Sequence, residues 1–153
     1  MVWDIGAGSG SVSIEAEGLI APGKVFAIEK DQKQLSFLKK NIAKFAANRV
    51  EPIGGDAPEA LKPLPDPDIV FIGGSSGHLT DILAYIDTRL KQGGRLVANT
   101  ITLENFTELI EFMKAHKYAF EVTTASVARS KELSRKHFMI AANPINIIFG
   151  IKT

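Results

Sequence analysis

The sequence contains no cysteine among its 153 residues, which excludes disulfide bonds, thiolate nucleophiles and cysteine metal ligands. Its net charge is only +1, so no overall field attracts the chain to nucleic acid or to an anionic membrane. No apolar run approaches the about 20 residues that a membrane span needs. The histidines His78, His116 and His137 lack metal-ligand spacing, so we expect no metal site.

What is present is ordinary for a globular chain, with 45% hydrophobic and 23% charged residues. A length of 153 residues fits one domain with an adequate core, which we expect to span residues 1–153. The first residues already have the character of a core strand rather than of a signal peptide. We therefore expect a cytoplasmic protein with neither a nucleic acid nor a membrane as its partner.

The first seventeen residues carry the pattern around which the chain is organised. Residues 1–5 predict a buried strand that only Asp4 interrupts, and residues 11–17 predict a helix. The turn between them runs Gly6-Ala7-Gly8-Ser9-Gly10. Such a strand, glycine turn and helix start form the front of a βαβ nucleotide site, where free N–H groups favour an anion or a carboxylate.

The spacing of the glycines decides which ligand is expected. The dinucleotide fingerprint G-x-G-x-x-G would need glycine at position 11, where the chain has Ser11. The pattern Asp4-x-Gly6-x-Gly8-x-Gly10 instead resembles the first motif of class I S-adenosylmethionine methyltransferases. This resemblance implies S-adenosylmethionine as cofactor, with Asp4 and residues 6–10 under its methionine part. A glycine turn without a ligand is the less favoured alternative.

Two acidic residues follow along the chain, the first placed for the ribose of a nucleoside and the second for its adenine. Glu29 ends a strand predicted over residues 24–28, where a carboxylate accepts hydrogen bonds from ribose hydroxyls. Lys30 beside it is a further candidate cofactor ligand. In the methyltransferase family, a turn such as Gly55-Asp56-Ala57 accepts from the adenine amino group and donates a backbone N–H to the ring. A solvated acid and a plain Gly-Asp turn are the alternatives.

A second glycine-rich turn follows the fourth strand, predicted over residues 68–72. Gly73 is assigned to the cofactor, and Gly74 and Ser75 to the substrate, because small residues leave room for a methyl group and its acceptor. His78 is a further substrate candidate, although a helix-capping or surface histidine is as plausible. We expect Leu79 and the apolar residues that follow it to face the core.

Polar residues 99–105 gather where the fifth strand, residues 95–99, gives way to a helix that Thr102 caps. Asn99, Thr102 and Glu104 are the substrate candidates there. An earlier helix is capped by Asp31, and its apolar residues, expected to face the core, are Leu35, Leu38, Ile42 and Phe45.

The end of the chain predicts two strands, at residues 118–128 and 145–152. Between them, residues 129–137 form a basic loop with four cations and one acid. Arg129 and Lys131 are candidate substrate ligands, whereas Arg135 and Lys136 are expected to face solvent. A merely solvated loop is the alternative. The strand–helix alternation predicts an α/β Rossmann-like class I methyltransferase domain, a seven-stranded sheet in the order 3-2-1-4-5-7-6 with only the last strand antiparallel and helices on both faces.

Several stretches together resemble the decarboxylating precorrin C15-methyltransferases of cobalamin biosynthesis. They are residues 3–15, 55–60, 67–74, 98–105 and 143–144. The most specific are Phe-Ile-Gly-Gly at 71–74 and Asn-Thr-Ile-Thr-Leu-Glu-Asn at 99–105. The resemblance implies methylation of a tetrapyrrole at C15, loss of CO2 from the C12 acetate and a homotetramer. It leaves open a separate C5-methyltransferase partner and a cobalt ion in the substrate.

Some features depart from the family. Ser76 stands where the family often has glycine, and the run Asn143-Pro-Ile-Asn146 lacks the aromatic residue that is common there. The N-terminal segment that covers the cofactor in such enzymes is expected to be absent. Two other functions stay open: an RNA adenine methyltransferase, which would need a broad basic surface, and a methyltransferase-like binding module without turnover. We assign no general base, because an electron-rich ring carbon needs none.

Overall fold

The computed structural model of the protein describes residues 1–153. Its helices are α1 (Ser11–Leu19), α2 (Gln32–Phe45), α3 (Leu79–Arg89) and α4 (Leu103–Ala115), with a short 3₁₀ helix at Glu59–Leu61. Its strands are β1 (Val2–Ile5), β2 (Val25–Glu29), β3 (Val50–Gly54), β4 (Ile69–Ile72), β5 (Arg95–Thr100), β6 (Tyr118–Ala125), β7 (Ala128–Leu133), β8 (Lys136–Ala141) and β9 (Ile145–Lys152). No helix is both long and apolar enough to cross a membrane.

Seven strands form one sheet in the order β3-β2-β1-β4-β5-β9-β6. This confirms the predicted order, since β9 is the seventh strand of this sheet along the chain. β9 runs antiparallel to both β5 and β6, and the other neighbouring pairs are parallel. Strands β1 to β3 are added toward one side of the sheet, and β4 and β5 are added on the other side of β1. The boundary between β1 and β4 is therefore a topological switch point, and ligands of open α/β sheets bind at the carboxyl edge of such a point.

The sheet separates two hydrophobic cores, which is why β1 and β2 are buried along their whole length. The larger core packs Trp3 and Ile5 against α3 and α4, and the smaller core packs Val2 and Ala27 against α1 and α2. Alternate residues of a strand point to opposite faces. Helices therefore cover both faces, as predicted, and they hold the carboxyl ends of β1, β2 and β4 in a fixed relation.

The predicted basic loop at residues 129–137 is wrong: β7 and β8 form an antiparallel hairpin there. The preceding strand also ends at Ala125 rather than at residue 128. The hairpin turn places Ser134 and Arg135 at φ of 52° and 62°. Sequences usually signal such a left-handed turn with Asn-Gly or Asp-Gly, so Ser-Arg gives no warning of it. All residues of β7 and β8 are exposed, so no alternation of buried positions marks the strands either.

The two predicted helix caps are confirmed. The Asp31 side chain accepts from the N–H of Gln34 at 2.8 Å, and the Thr102 hydroxyl accepts from the N–H of Asn105 at 3.3 Å. The inward face of α3 is confirmed as well. In α2, however, the prediction for Phe45 is wrong, because the helix ends there with Ala46 left-handed and the ring is 59% exposed.

Candidate active site

The glycine turn after β1 packs directly against the glycine turn after β4. The N–H groups of Gly73 and Gly74 both point at the carbonyl oxygen of Ile5, at 2.9 and 3.4 Å. Gly6 has a φ of +72°, and a Cβ there would lie 2.6 Å from the carbonyl oxygen of Gly74. Only glycine permits both the backbone angle and this approach. The two turns therefore form one rigid wall at the centre of the sheet edge.

The Glu29 carboxylate ties this wall to the neighbouring strand. Its Oε2 accepts from the N–H of Gly8, and its Oε1 accepts from the N–H of Asp31, both at 2.8 Å. The side chain is 9% exposed, and the N–H of Gly55 reaches its carbonyl oxygen at 3.2 Å. Each carboxylate oxygen keeps a second lone pair, so Glu29 has acceptor capacity left for a diol.

A cavity opens between the ends of β1, β2, β3 and β4 with Glu29 in its wall. Six predicted cofactor residues line it: Gly6, Glu29, Lys30, Gly55, Asp56 and Ala57. Lys30 and Asp56 form an ion pair at 3.2 Å, and both are about half exposed. The wall of the cavity thus contains the shielded carboxylate of Glu29, the exposed Lys30–Asp56 ion pair and several glycines.

The other predicted cofactor residues do not line this cavity. Ala7 and Gly10 are joined within the turn, the carbonyl oxygen of Ser9 accepts from Asn41, and Gly8 contributes its N–H to Glu29. Gly73 lines a neighbouring cavity. The residues of the first turn therefore shape the cavity through their backbone.

Asp4 lies beneath α1, 1% exposed, and its carboxylate accepts from the hydroxyl of Ser13. Its Oδ1 has no hydrogen-bond partner. Burial raises the pKa of Asp4 to about 6; the hydrogen bonds from Ser13 oppose this rise, and the nearby charge of Glu29 adds to it. The Asp4 side chain therefore joins β1 to α1 and does not line the cavity.

This burial predicts an unusual pH dependence of stability. The pKa of Asp4 is raised on folding from 3.8 to about 6, so its contribution to stability is present at low pH and is lost as the pH rises through that window. The change is on the order of 3 kcal/mol. We expect Asp4→Asn to flatten the unfolding free energy between pH 4 and 6 and to raise it at pH 7, as measured by urea denaturation.

Asp68→Asn provides a control of opposite sign. The hydrogen bond from Lys91 lowers the pKa of Asp68. Its stabilising contribution is therefore present at neutral pH and is lost on acidification. The interpretation of Asp4 is wrong if Asp4→Asn loses stability at pH 7 as Asp68→Asn does.

A second cavity adjoins the first and shares Gly74, Ser75 and Ser76 with it. Four of the predicted substrate residues line this second cavity, namely Gly74, Ser75, Asn99 and Thr102. Ser76 has a φ of 51°, a left-handed conformation that glycine adopts without strain, which accounts for the glycine that the resembling family often has there. The shared wall brings a ligand of one cavity beside a ligand of the other.

The other four predicted substrate residues lie outside the second cavity. His78 is the exposed residue before α3, and Glu104 lies on an acidic outer groove of α4. Arg129 and Lys131 line a third groove with Asn143. In the hairpin register they face Ile140 and Phe138, so one side of the hairpin mixes cations with apolar side chains. The structure thus places Arg129 and Lys131 in a groove at the end of β6 and the start of β9, and neither residue lines the two cavities at the glycine turns.

Sequence reasoning did not assign Thr100 and Asn105 individually, although it placed both at this edge. Thr100 is 4% exposed and its hydroxyl has no hydrogen-bond partner, and both residues line the second cavity. No periodicity marks them, because their position follows from the end of β5 meeting the start of α4. Taken together, the two joined cavities can hold two ligands in contact, which is the arrangement needed for direct group transfer.

Residues 1–152 match a protein family described as the precorrin methyltransferase domain. The chain is 41% identical over 152 residues to a protein of Sulfurisphaera tokodaii named probable cobalt-precorrin-6B C(15)-methyltransferase (decarboxylating), covering 97% of this chain and 78% of that protein. Among solved structures it resembles a precorrin-6Y C5,15-methyltransferase from Geobacter metallireducens, with 45% identity, a TM-score of 0.91 and coverage of 99% and 80%. A precorrin-8W decarboxylase from Methanobacterium thermoautotrophicum gives 34% identity, a TM-score of 0.88 and coverage of 97% and 80%.

Proposed function

The chain belongs to the precorrin methyltransferase family, and from this we propose that it methylates C15 of a precorrin and removes the carboxyl group of the C12 acetate as CO2. The observation that carries the proposal is the pair of cavities joined at Gly74–Ser76. One cavity has the donors and acceptors for a nucleoside, and the other is open to a second substrate. An RNA-directed activity finds no comparable support, because the net charge is +1.

The first cavity fits S-adenosylmethionine. Glu29 presents free lone pairs for the ribose hydroxyls, while Asp56 and the N–H of Ala57 are the candidates for the adenine. Gly6 and Gly74 both line this cavity, and the backbones of their turns touch where a Cβ on Gly6 would collide with Gly74. The bound cofactor supplies a methyl group on a sulfonium, which is already activated for displacement.

The protein's own contribution to the reaction is positioning. A near-attack arrangement at about 3–3.5 Å can remove on the order of 7–11 kcal/mol of barrier. The shared wall at Gly74–Ser76 carries no bulky side chain that would separate the methyl group from C15. We assign no side chain as general base, since the ring carbon is already a nucleophile.

The exposed hairpin is the proposed contact for the carboxylate arms of the tetrapyrrole and for a second copy of the chain. Arg129 and Lys131 lie on one side of it, where charge-assisted hydrogen bonds to acetate and propionate groups are available. Met139 is 68% and Phe138 47% exposed, and a lone two-stranded hairpin is at best marginally stable in water. Exposed apolar surface of this kind supports self-association, and we propose a homotetramer.

The function is tested by incubating the purified protein with S-adenosylmethionine and a C15-unmethylated precorrin. We expect the tetrapyrrole to gain one methyl group and lose one CO2, which mass spectrometry detects directly. Calorimetry with the cofactor, followed by the turnover assay with the precorrin, separates a binding module from an enzyme. Binding without turnover of any precorrin would contradict the proposed activity, and a preference for NAD would contradict the cofactor assignment.

The role of the hairpin is tested by Arg129→Gln combined with Lys131→Gln. We expect the Michaelis constant for the precorrin to rise about tenfold, since two ion pairs at an exposed site contribute roughly 0–1 kcal/mol each and a partly shielded pair somewhat more. Cofactor affinity should stay within twofold. The matched control is Arg135→Gln with Lys136→Gln, which removes the same charge near the hairpin tip. Equal Michaelis constants for the two double variants at one ionic strength would show that Arg129 and Lys131 are only solvated surface.

A further inference from the structure

The second cavity holds a buried hydroxyl that nothing in the protein satisfies. Thr100 ends β5, is 4% exposed, and its Oγ1 has no hydrogen-bond partner. The neighbour that faces it across the sheet, Asn146 of β9, is already engaged, because its side-chain oxygen accepts from the hydroxyl of Thr124 at 2.7 Å. A buried unpaired polar group is destabilising, and this hydroxyl is therefore free to bond to a ligand of the cavity.

The second cavity also lacks any charged side chain. Its walls consist of glycine, aliphatic, hydroxyl and amide residues from the β4 turn, the end of β5 and the start of α4. The nearest charged residue along α4 is Glu104, an acid, which lies on the outer groove with Glu108 and Glu111. Arg129 and Lys131 line a different groove. A carboxylate placed in the second cavity would therefore meet hydrogen-bond donors but no cationic side chain.

We propose that the second cavity receives the C12 acetate that is lost, with the Thr100 hydroxyl donating to its carboxylate. This inference rests on the proposed function and names the site at which its decarboxylation step takes place. The cavity, of about 270 Å³, has room for an acetate arm, since a water molecule occupies about 30 Å³. Its shared wall at Gly74–Ser76 keeps that arm beside the cofactor cavity.

The absence of a cation is what favours loss of CO2. In the reaction the bond between the methylene and the carboxyl carbon breaks, CO2 leaves, and the bonding pair enters the conjugated ring. There it replaces the pair that C15 gives to the new methyl group. The exocyclic methylene takes up one proton and the ring releases one, which completes the balance. A fixed cation would stabilise the starting carboxylate more than the transition state, in which the charge has moved into the ring, and would therefore slow the step.

The same contrast explains how one carboxylate is chosen among several. Arms that reach Arg129 or Lys131 gain charge-assisted hydrogen bonds, which stabilise the carboxylate and oppose its loss as CO2. The arm in the second cavity has only neutral partners, with Thr100 fixing its orientation. Selectivity in decarboxylation thus follows from where the protein places its positive charge.

The decisive experiment adds a cation to the second cavity. Asn105→Lys places an ammonium group at its rim, and Asn105→Met is the matched uncharged control of similar length. With a precorrin labelled in the C12 acetate carboxyl, we expect kcat for CO2 release to be at least tenfold lower in Asn105→Lys than in Asn105→Met. The Michaelis constant should be no higher, since the cation binds the acetate. Equal kcat values, or a lower kcat with a raised Michaelis constant, would overturn the proposal.

Thr100→Val tests the hydrogen bond separately, because valine has nearly the shape of threonine. We expect an unchanged or higher melting temperature together with several-fold weaker binding of the substrate, and unchanged binding of the product, whose C12 carries a methyl group. An equal effect on substrate and product, or no effect on either, would overturn the role of Thr100. Failure of the unaltered protein to turn over any precorrin would instead remove the proposed function, so the two failures are distinguishable.

Discussion

Gly6→Ala is expected to be the most damaging conservative substitution in the chain. We expect it to lower the unfolding free energy by about 2–5 kcal/mol, as the sum of a left-handed backbone and an overpacked contact. For a domain of this size that corresponds to a drop of about 4–20 °C in melting temperature. The new Cβ would lie 2.6 Å from the carbonyl oxygen and 2.8 Å from the nitrogen of Gly74, which are backbone atoms and cannot rotate away.

The matched control is Gly8→Ala, two residues along the same turn. Gly8 also has a positive φ, of 57°, but a Cβ there would meet nothing within 4 Å. Gly8→Ala should therefore lower the unfolding free energy only through its left-handed backbone angle, by about 1–2 kcal/mol. Thermal denaturation and cofactor calorimetry of both variants separate backbone strain from the contact between the two glycine turns. Equal melting temperatures for the two variants would mean that this contact is not what requires glycine at position 6.

Glu29→Ala is expected to have the largest effect on the cofactor. Losing the two hydrogen bonds from the ribose should weaken S-adenosylmethionine binding by on the order of 1.5–3 kcal/mol, which is roughly 10- to 150-fold. The structure adds a second consequence. The N–H groups of Gly8 and Asp31 both donate to this carboxylate. We therefore expect the unfolding free energy to fall by about 1–2 kcal/mol as well.

Glu51→Ala is the control for this substitution. Glu51 lies on the adjacent strand β3, pairs with Lys24 at the surface and does not line the first cavity. Its removal should leave cofactor affinity unchanged, because an exposed ion pair contributes only about 0–1 kcal/mol to stability and makes no contact with the ligand. If calorimetry gives the same dissociation constant for Glu29→Ala and the unaltered protein, Glu29 is not the ribose ligand.

Local sequence patterns were sufficient to predict the helices of the molecule and the strands of its main sheet. The glycine spacing at residues 6–10, the caps at Asp31 and Thr102 and the alternation of strands with helices each depend on neighbours in sequence. The sheet order followed because connections in α/β folds obey strong rules of handedness and adjacency. The family resemblance also depended on residues contiguous in the chain, so the sequence alone was enough to reveal it.

The β7–β8 hairpin could not be predicted from local sequence patterns. Its turn uses Ser134 and Arg135 in a conformation that glycine and asparagine usually mark, and its strands bury nothing within one chain. The pattern of alternating burial, which identifies strands in a sequence, exists only where one face packs on a core. β7 therefore has the composition of a solvated loop, whereas β8 contains an apolar run at residues 138–141 that packs on no core within the chain.

The sequence by itself determined the α/β fold and the family and predicted the edge of the sheet for the cofactor, because these follow from short-range spacing and from rules of chain connection. Only the tertiary structure decided which residues of that edge share a cavity. It placed Asp4 beneath α1, left the Thr100 hydroxyl unpaired and separated the cations of the hairpin from the neutral second cavity. Burial, missing partners and the distribution of charge in space arise from contacts between residues far apart in the chain, and no spacing within the sequence contains them.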